Sequence, residues 1–173
     1  AACVDVDALY IKDPGGILMP QRARTLIPAI KAVIGAKKLE LHAHCTIGLA
    51  ELAYMDAPDQ GVSALQCASG AAADGNSNPP SERVVSNLRA LGHRVNIDDE
   101  ALAGVGRYFT QLAEAEDLPS GRPMAFDAGY LRHQLPGGVV GTMRRHLTDA
   151  RLSHMEGAVI AELGRVRGEL GWP

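Results

Sequence analysis

Two histidines, His42 and His44, stand at i and i+2 in the run Lys38-Leu39-Glu40-Leu41-His42-Ala43-His44-Cys45-Thr46. Side chains two apart on a strand project to the same face, so both imidazoles can reach one ligand, and neutral imidazole is a common ligand for zinc and its neighbours. The same residues also fit a plain strand edge, with one histidine satisfied in the structure and the other exposed. Two ligands fall short of the three protein ligands usual at a catalytic metal. Lys12 is a third candidate by an unusual route: an ammonium has no lone pair, but a lysine that adds CO2 becomes a carbamate and can bind a metal as a carboxylate does. An ion pair with the adjacent Asp13 is the alternative for Lys12. Asn76 and Ser77, in the stretch Asp74-Gly75-Asn76-Ser77-Asn78, suit substrate contact or a simple turn. Gly137-Gly138 suits close backbone approach or a tight turn. His133, His146 and His154 read as surface or packing residues, and Cys45 and Cys67 as small buried hydrophobes.

Short strands must position these residues. Ala8-Leu9-Tyr10-Ile11 is a β-favouring run closed by the breaker Lys12-Asp13-Pro14-Gly15-Gly16. After Pro20, Leu26, Ile27, Ile30, Val33 and Ile34 make a helical stripe that Gly35 ends. Leu39 to His42 reads as a second strand, with a following helix that Pro58 ends or kinks. Val62 to Cys67 reads as a third strand, followed by a small-residue loop and a helix over 81–91. Strand, loop and helix thus recur at a spacing of about 25–30 residues, which argues for βα units on a parallel sheet. In such folds ligands gather at the C-terminal ends of the strands, where Lys12, His42, His44 and the Asp74–Asn78 stretch all fall. Beyond a boundary near 92–96 the chain turns mostly helical, with acidic residues opening one helix at Asp98-Asp99-Glu100. A linker, Leu118-Pro119-Ser120-Gly121-Arg122-Pro123, leads to a last helix over about 153–170.

The 173 residues suit one domain or a piece of a larger one; 46% are hydrophobic, 21% charged and 4% aromatic. A formal charge of −3 implies no basic face, which argues against nucleic acid or an anionic membrane surface as partner. Arg144, Arg145 and Arg151 read as a solvated helix face. Three cysteines, none in a C-x-x-C pattern, fit a reduced, cytoplasmic setting. No run approaches the ~18 apolar residues of a membrane span, and no signal peptide opens the chain. Neither end reads as a natural terminus, since the first residue is Ala and the last run is Glu169-Leu170-Gly171-Trp172-Pro173. Three units cannot close a barrel, so further strands are expected upstream, and this piece alone is expected to be inactive and poorly stable, with a sheet edge exposed.

Four stretches carry a resemblance: ALYIKDPGGILMP, LELHAHCTIGLAELAYMDAPDQGV, GNSNPPSERVVSNL and HQLPGGVVGTMRRHL. In this order they resemble the biotin-dependent carboxyltransferases, namely pyruvate carboxylase, the α subunit of oxaloacetate decarboxylase and the carboxyltransferase subunit of transcarboxylase. The resemblance implies an α/β fold. Residues 1–92 would be the C-terminal three βα units of a TIM barrel of the hydroxymethylglutaryl-CoA-lyase-like kind, and 93–173 a mostly helical C-terminal carboxyltransferase region, truncated. It implies that Lys12 is carboxylated and, as a catalytic group, binds a divalent metal (Zn, Mn or Co) with His42 and His44. The fourth ligand of the family, an Asp of the first strand, has no counterpart here. It implies carboxyl transfer between biotin and pyruvate or oxaloacetate, with the biotin on a separate carrier domain, since no Met-Lys-Met biotinylation motif occurs. Membrane-bound decarboxylase subunits as partners and a homo-oligomeric assembly belong to the same expectation. Ala128 and Gln134 fall at biotin-binding positions. In the family's D-T-x-x-x-x-x-Q-x-P-G-G pattern this chain has Asp127-Ala128, so the hydroxyl that shuttles a proton to biotin is absent. A diverged, biotin-independent, metal-dependent 2-oxo acid lyase or decarboxylase is therefore the alternative, and a non-catalytic subunit is a further one.

Overall fold

The computed structural model describes residues 5–172; Cys3 lies outside them. β1 (Ala8–Asp13), β2 (Lys38–Ala43) and β3 (Ala64–Leu65) form a parallel sheet in that order, with Lys12 paired to His42 in the register. The intervening helices are α1 (Pro20–Ile34) and α2 (Ala50–Asp56), and α3 (Ser81–Ala90) follows β3. The expected alternation of strand and helix, and with it the α/β class, is present. α4 (Asp99–Ala115), α5 (Tyr130–His133), α6 (Gly137–Asp149) and α7 (Glu156–Glu169) make the rest mostly helical.

The two faces of the sheet separate by residue type. Leu39, Leu41 and Ala43 of β2 are buried against the helical layer, where they meet Ala23, Ile27 and Ile34 of α1, Ala53 and Tyr54 of α2, and Val84 and Leu88 of α3. Full burial of a side chain such as Leu41 or Ile27 contributes about 1.5–3 kcal/mol. Leu9 and Ile11 of β1 pack on this cluster, whereas Tyr10, Lys12, Glu40 and His42 alternate onto the opposite face. Pro20 opens α1 at a position that needs no N–H, and Asp98 caps α4 by accepting from Ala101 N at 2.7 Å. Val33, expected in the α1 stripe, lies at its edge and is 67% exposed. Pro58 does end α2, starting a 3-10 turn over Pro58–Gln60.

The third strand is shorter than the expected 62–67, and Tyr54 accounts for it. Gln66 N still donates to Leu41 O at 2.9 Å, but the next rung, from Ala43 N to Gln66 O, is not made directly. The Tyr54 hydroxyl inserts, accepting from Ala43 N at 3.0 Å and donating to Gln66 O at 2.7 Å. A phenol oxygen between two strands satisfies both backbone groups while spreading the strands apart. The same insertion places Gln66 where its side chain meets His42.

The helical half does not stand clear of the sheet. α4 packs on the turn Gly70–Ala72 after β3. The segment expected as a linker returns over the strand ends, with Gly121 N donating to Ala71 O at 2.8 Å and Pro123 and Met124 set beside Cys45 and Gly48. No helix among the described residues is long and apolar enough to cross a membrane.

Candidate active site

The strand ends bring Lys12, His42 and His44 together on the face opposite the core. The rings of His42 and His44 have centroids 5.0 Å apart, and Tyr10 stands 6.4 Å from His42. Lys12 lies directly across the register from His42. Its alternative role, an ion pair with Asp13, is not adopted: Asp13 is buried, and its carboxylate accepts from Ile17 N at 3.1 Å and Leu18 N at 2.7 Å. Lys12 is exposed and has no hydrogen-bond or ion-pair partner among the described residues.

A hydrogen-bond chain determines which nitrogen of His42 carries the proton. Gln66 Nε2 donates to Glu40 Oε2 at 2.9 Å, which turns the amide oxygen toward His42 Nδ1 at 2.8 Å. That oxygen can only accept, so Nδ1 donates and Nε2 keeps its lone pair. His42 Nε2 is buried and has no hydrogen-bond partner among the described residues. A ligating histidine ordinarily has this arrangement, its second ring nitrogen held by an outer group. For His44, burial holds the imidazole below its usual pKa. The positive charge of a protonated His42 and of Lys12 acts in the same direction, against Asp13, so the neutral, ligating form is favoured. Among the described residues no cluster of three or more His, Cys, Asp or Glu side chains could hold a metal.

The backbone at His44 is fixed on three sides. His44 N donates to Asp13 O at 3.0 Å. Asn78 Nδ2 donates to Ala43 O at 3.1 Å and Cys45 N donates to Ser77 O at 2.7 Å. Gly16, with φ +66, passes so close to His44 that a Cβ there would sit 2.4 Å from its carbonyl oxygen. The Asp74–Asn78 stretch is a closed turn, with Asp74 N bonded to Asn78 O at 2.9 Å and Ser77 N to Asp74 O at 2.9 Å. Arg83 anchors it by bonding Asp74 through Nη2 at 2.6 Å and Glu51 through Nε. The stretch is thus a turn, to which Ser77 contributes its backbone while Asn76 sets its carboxamide against Gly137. A Cβ on Gly137 would fall 1.9 Å from Asn76 Oδ1, so Gly137 serves close approach.

Gln134 lies with φ 53 at the end of α5, its carbonyl near Gly15, and its side chain accepts from Arg167 Nη2 at 3.2 Å. Ala128 is exposed in the turn before α5, where Asp127 Oδ1 accepts from Gly129 N at 2.8 Å. His133 is a packing residue, as expected; its Nδ1 accepts from Leu135 N at 3.1 Å. Burial pushes the thiol of Cys45 up to about 12 and that of Cys67 up to about 11, so both are inert. A cleft of about 720 Å³ opens beside His44, walled by Pro14, Pro136, Gly138, Val139, Met143 and Leu147, with Thr142 and His146. His146, expected at the surface or in packing, is exposed, and the docking of α6 makes it line the same cleft as His44.

No family model matches the chain. A pyruvate carboxylase subunit of Methanocaldococcus jannaschii is 31% identical over 168 residues, which are 96% of this chain and 30% of that protein. The methylmalonyl-CoA carboxyltransferase 5S subunit of Propionibacterium freudenreichii subsp. shermanii is 29% identical over 96% of this chain and 33% of its own length. Among solved structures, the carboxyl transferase domain of Rhizobium etli pyruvate carboxylase superposes with a TM-score of 0.86 at 20% identity, over 97% of this chain and 28% of that one. The three βα units therefore match part of a carboxyltransferase TIM-barrel domain. The chain belongs to the carboxyltransferase family of pyruvate carboxylase and the methylmalonyl-CoA carboxyltransferase 5S subunit, and spans about 30% of the length of those relatives.

Proposed function

We propose that the protein carries out metal-dependent carboxyl transfer between biotin and pyruvate or oxaloacetate. In this reading 1–92 supply the barrel part of the site and 93–173 the helical wall. The observation that carries it is the unpartnered, buried Nε2 of His42, held in its ligating tautomer by Gln66 and Glu40 beside His44. Lys12, as a carbamate, His42 and His44 would hold the divalent ion. That ion, when bound, polarises the carbonyl of a 2-oxo acid and stabilises negative charge on its oxygen. The rest is the work of the chain. The Gln66 chain keeps His42 from donating at Nε2. The bonds at Ala43, His44 and Cys45 fix the second imidazole, and a largely apolar cleft opens beside it. Gln134 is at the position where the resemblance puts biotin. Biotin arrives on a separate carrier domain, and a structure of the Rhizobium etli domain holds both pyruvate and biocytin.

Ala128 favours a second reading, a biotin-independent 2-oxo acid decarboxylase or lyase on the same site, because a methyl group cannot relay a proton. Metal analysis of the full-length protein tests the shared core of both. About one zinc, manganese or cobalt ion per chain, lost in a His42→Ala/His44→Ala variant, is expected. A folded wild type with no metal refutes it. Transfer of label from carboxybiotin to pyruvate then separates the two readings.

A further inference from the structure

Gln66 assigns the ligating tautomer of His42, and its own placement has a cause in the core on the other side of the sheet. Gln66, just past the end of β3, lies beside His42. In a parallel pair the backbone of one residue bonds the two residues that flank the other. Gln66 N donates to Leu41 O at 2.9 Å, just before His42, as that pattern requires. Just after His42, between Ala43 N and Gln66 O, the Tyr54 hydroxyl takes the place of the direct bond.

The directions of these bonds leave no choice. An amide N–H can only donate and a carbonyl can only accept, so the hydroxyl accepts from Ala43 at 3.0 Å and donates to Gln66 at 2.7 Å. Tyr54 comes from α2, within the helical layer, and has no solvent exposure, so close packing fixes its ring. β2 is anchored at the same point: Ala43 O accepts from Asn78 Nδ2 at 3.1 Å, and His44 N donates to Asp13 O at 3.0 Å. With β2 held, the hydroxyl determines where the backbone of Gln66 stands. Without it, Ala43 N and Gln66 O would close toward a direct bond of about 2.9 Å. That closure carries Gln66 toward His42 and takes its amide out of line with His42 Nδ1, now at 2.8 Å, and with Glu40 Oε2, now at 2.9 Å.

We infer that Tyr54 is a positioning residue for the metal ligand His42, acting through Gln66. Its hydroxyl reaches the strand ends from the core side and sets the gap across which the Gln66 amide meets the imidazole. The inference rests on the metal site proposed above. It makes Tyr54, which has no hydrogen bond to either imidazole, one of the residues that decide how tightly the ion is held. The helical layer and the site on the opposite face of the sheet are thereby joined through one oxygen atom.

The test uses the full-length protein with isotope-labelled histidine rings, and sucrose in every sample to keep a destabilised variant folded. Ring NMR of the metal-free protein reads which nitrogen of His42 carries the proton, and competition titration reads zinc affinity. The wild type is expected to show the proton on Nδ1. Tyr54→Phe, and Gln66→Asn, whose amide is one methylene shorter, are expected to mix the two tautomers and to weaken zinc about 10-fold. In a Gln66→Leu background, Tyr54→Phe is expected to change zinc affinity less than about twofold, because the amide it acts through is already gone. A role in core packing alone would not move the tautomer. Wild-type tautomer and zinc affinity in Tyr54→Phe overturn the inference, as does an equal loss of affinity in the Gln66→Leu background. An unchanged tautomer in Gln66→Asn shows that the place of the amide is immaterial and overturns it too. A wild type that binds no zinc overturns the metal reading as well, and the wild-type titration tells that case from the others.

Discussion

Replacing Tyr54 by Phe removes one oxygen atom from a side chain with no solvent exposure. Two backbone groups then lose their partner, the N–H of Ala43 at 3.0 Å and the carbonyl of Gln66 at 2.7 Å. A buried donor or acceptor left unsatisfied costs about 1–3 kcal/mol. The two orphans face each other across the gap left by the hydroxyl, so partial closure recovers some of that, and a net loss of about 2–4 kcal/mol is expected. This is a factor of about 30–1,000 in the folding equilibrium. Urea unfolding of the full-length protein reads the free energy, and amide hydrogen exchange reads the site, because the Ala43 N–H should lose protection while Leu41, paired within the sheet, keeps it. A loss under about 0.5 kcal/mol with Ala43 still protected would refute the bridging role of Tyr54. It would also remove the explanation for the early end of β3.

Three further outcomes follow from the site's supports. Gln66→Leu removes the acceptor that holds His42 in its ligating tautomer, and metal affinity should fall about 10–100-fold by competition titration; an unchanged affinity would show that Gln66 does not orient the ring. Arg83→Ala leaves Asp74, 9% exposed, without its guanidinium. With the arginine itself partly solvated, a loss of about 2 kcal/mol is expected, with faster amide exchange at Cys45, whose N–H bonds the Asp74–Asn78 turn. His133 titrates below its usual value because of burial, with Arg167 acting in the same sense and Asp127 against it. The unfolded chain therefore binds the extra proton first as pH falls below about 6.5. Stability contributed at α5 should drop from that pH down through the folded-state value, be fully present above it, and lose this dependence in His133→Gln.

The placement of the candidate site residues was readable because its signals are local. Strand alternation puts His42 and His44 on one face whatever surrounds them, and Pro14, Gly15 and Gly16 must turn the chain after β1. Pro20, Gly35 and Pro58 bound their elements as written. β3 was not readable in the same way: Val62 to Cys67 has strand composition throughout, and what shortens it is a tyrosine eleven positions after Ala43, on a different element. The closure of the Asp74–Asn78 stretch as a turn is held by contacts from Arg83, Cys45 and Gly137, which lie far from it in sequence or on other elements. Lys12 and Asp13 are neighbours in sequence but alternate to opposite faces, which removes the ion pair.

By itself the sequence determined the element types, the parallel α/β class, the shared face of Lys12, His42 and His44, and the family. Each of these follows from periodicity, breakers or contiguous motifs within a few residues. Tertiary structure alone decided that Gln66, just past the end of the next strand, assigns the proton on His42. It alone brought His146 and Thr142 from α6 to the mouth beside His44, more than a hundred residues away in sequence from Lys12. Hydrogen bonds between elements depend on where whole helices and strands dock, and that is set by the burial of the common core rather than by any residue's own neighbours.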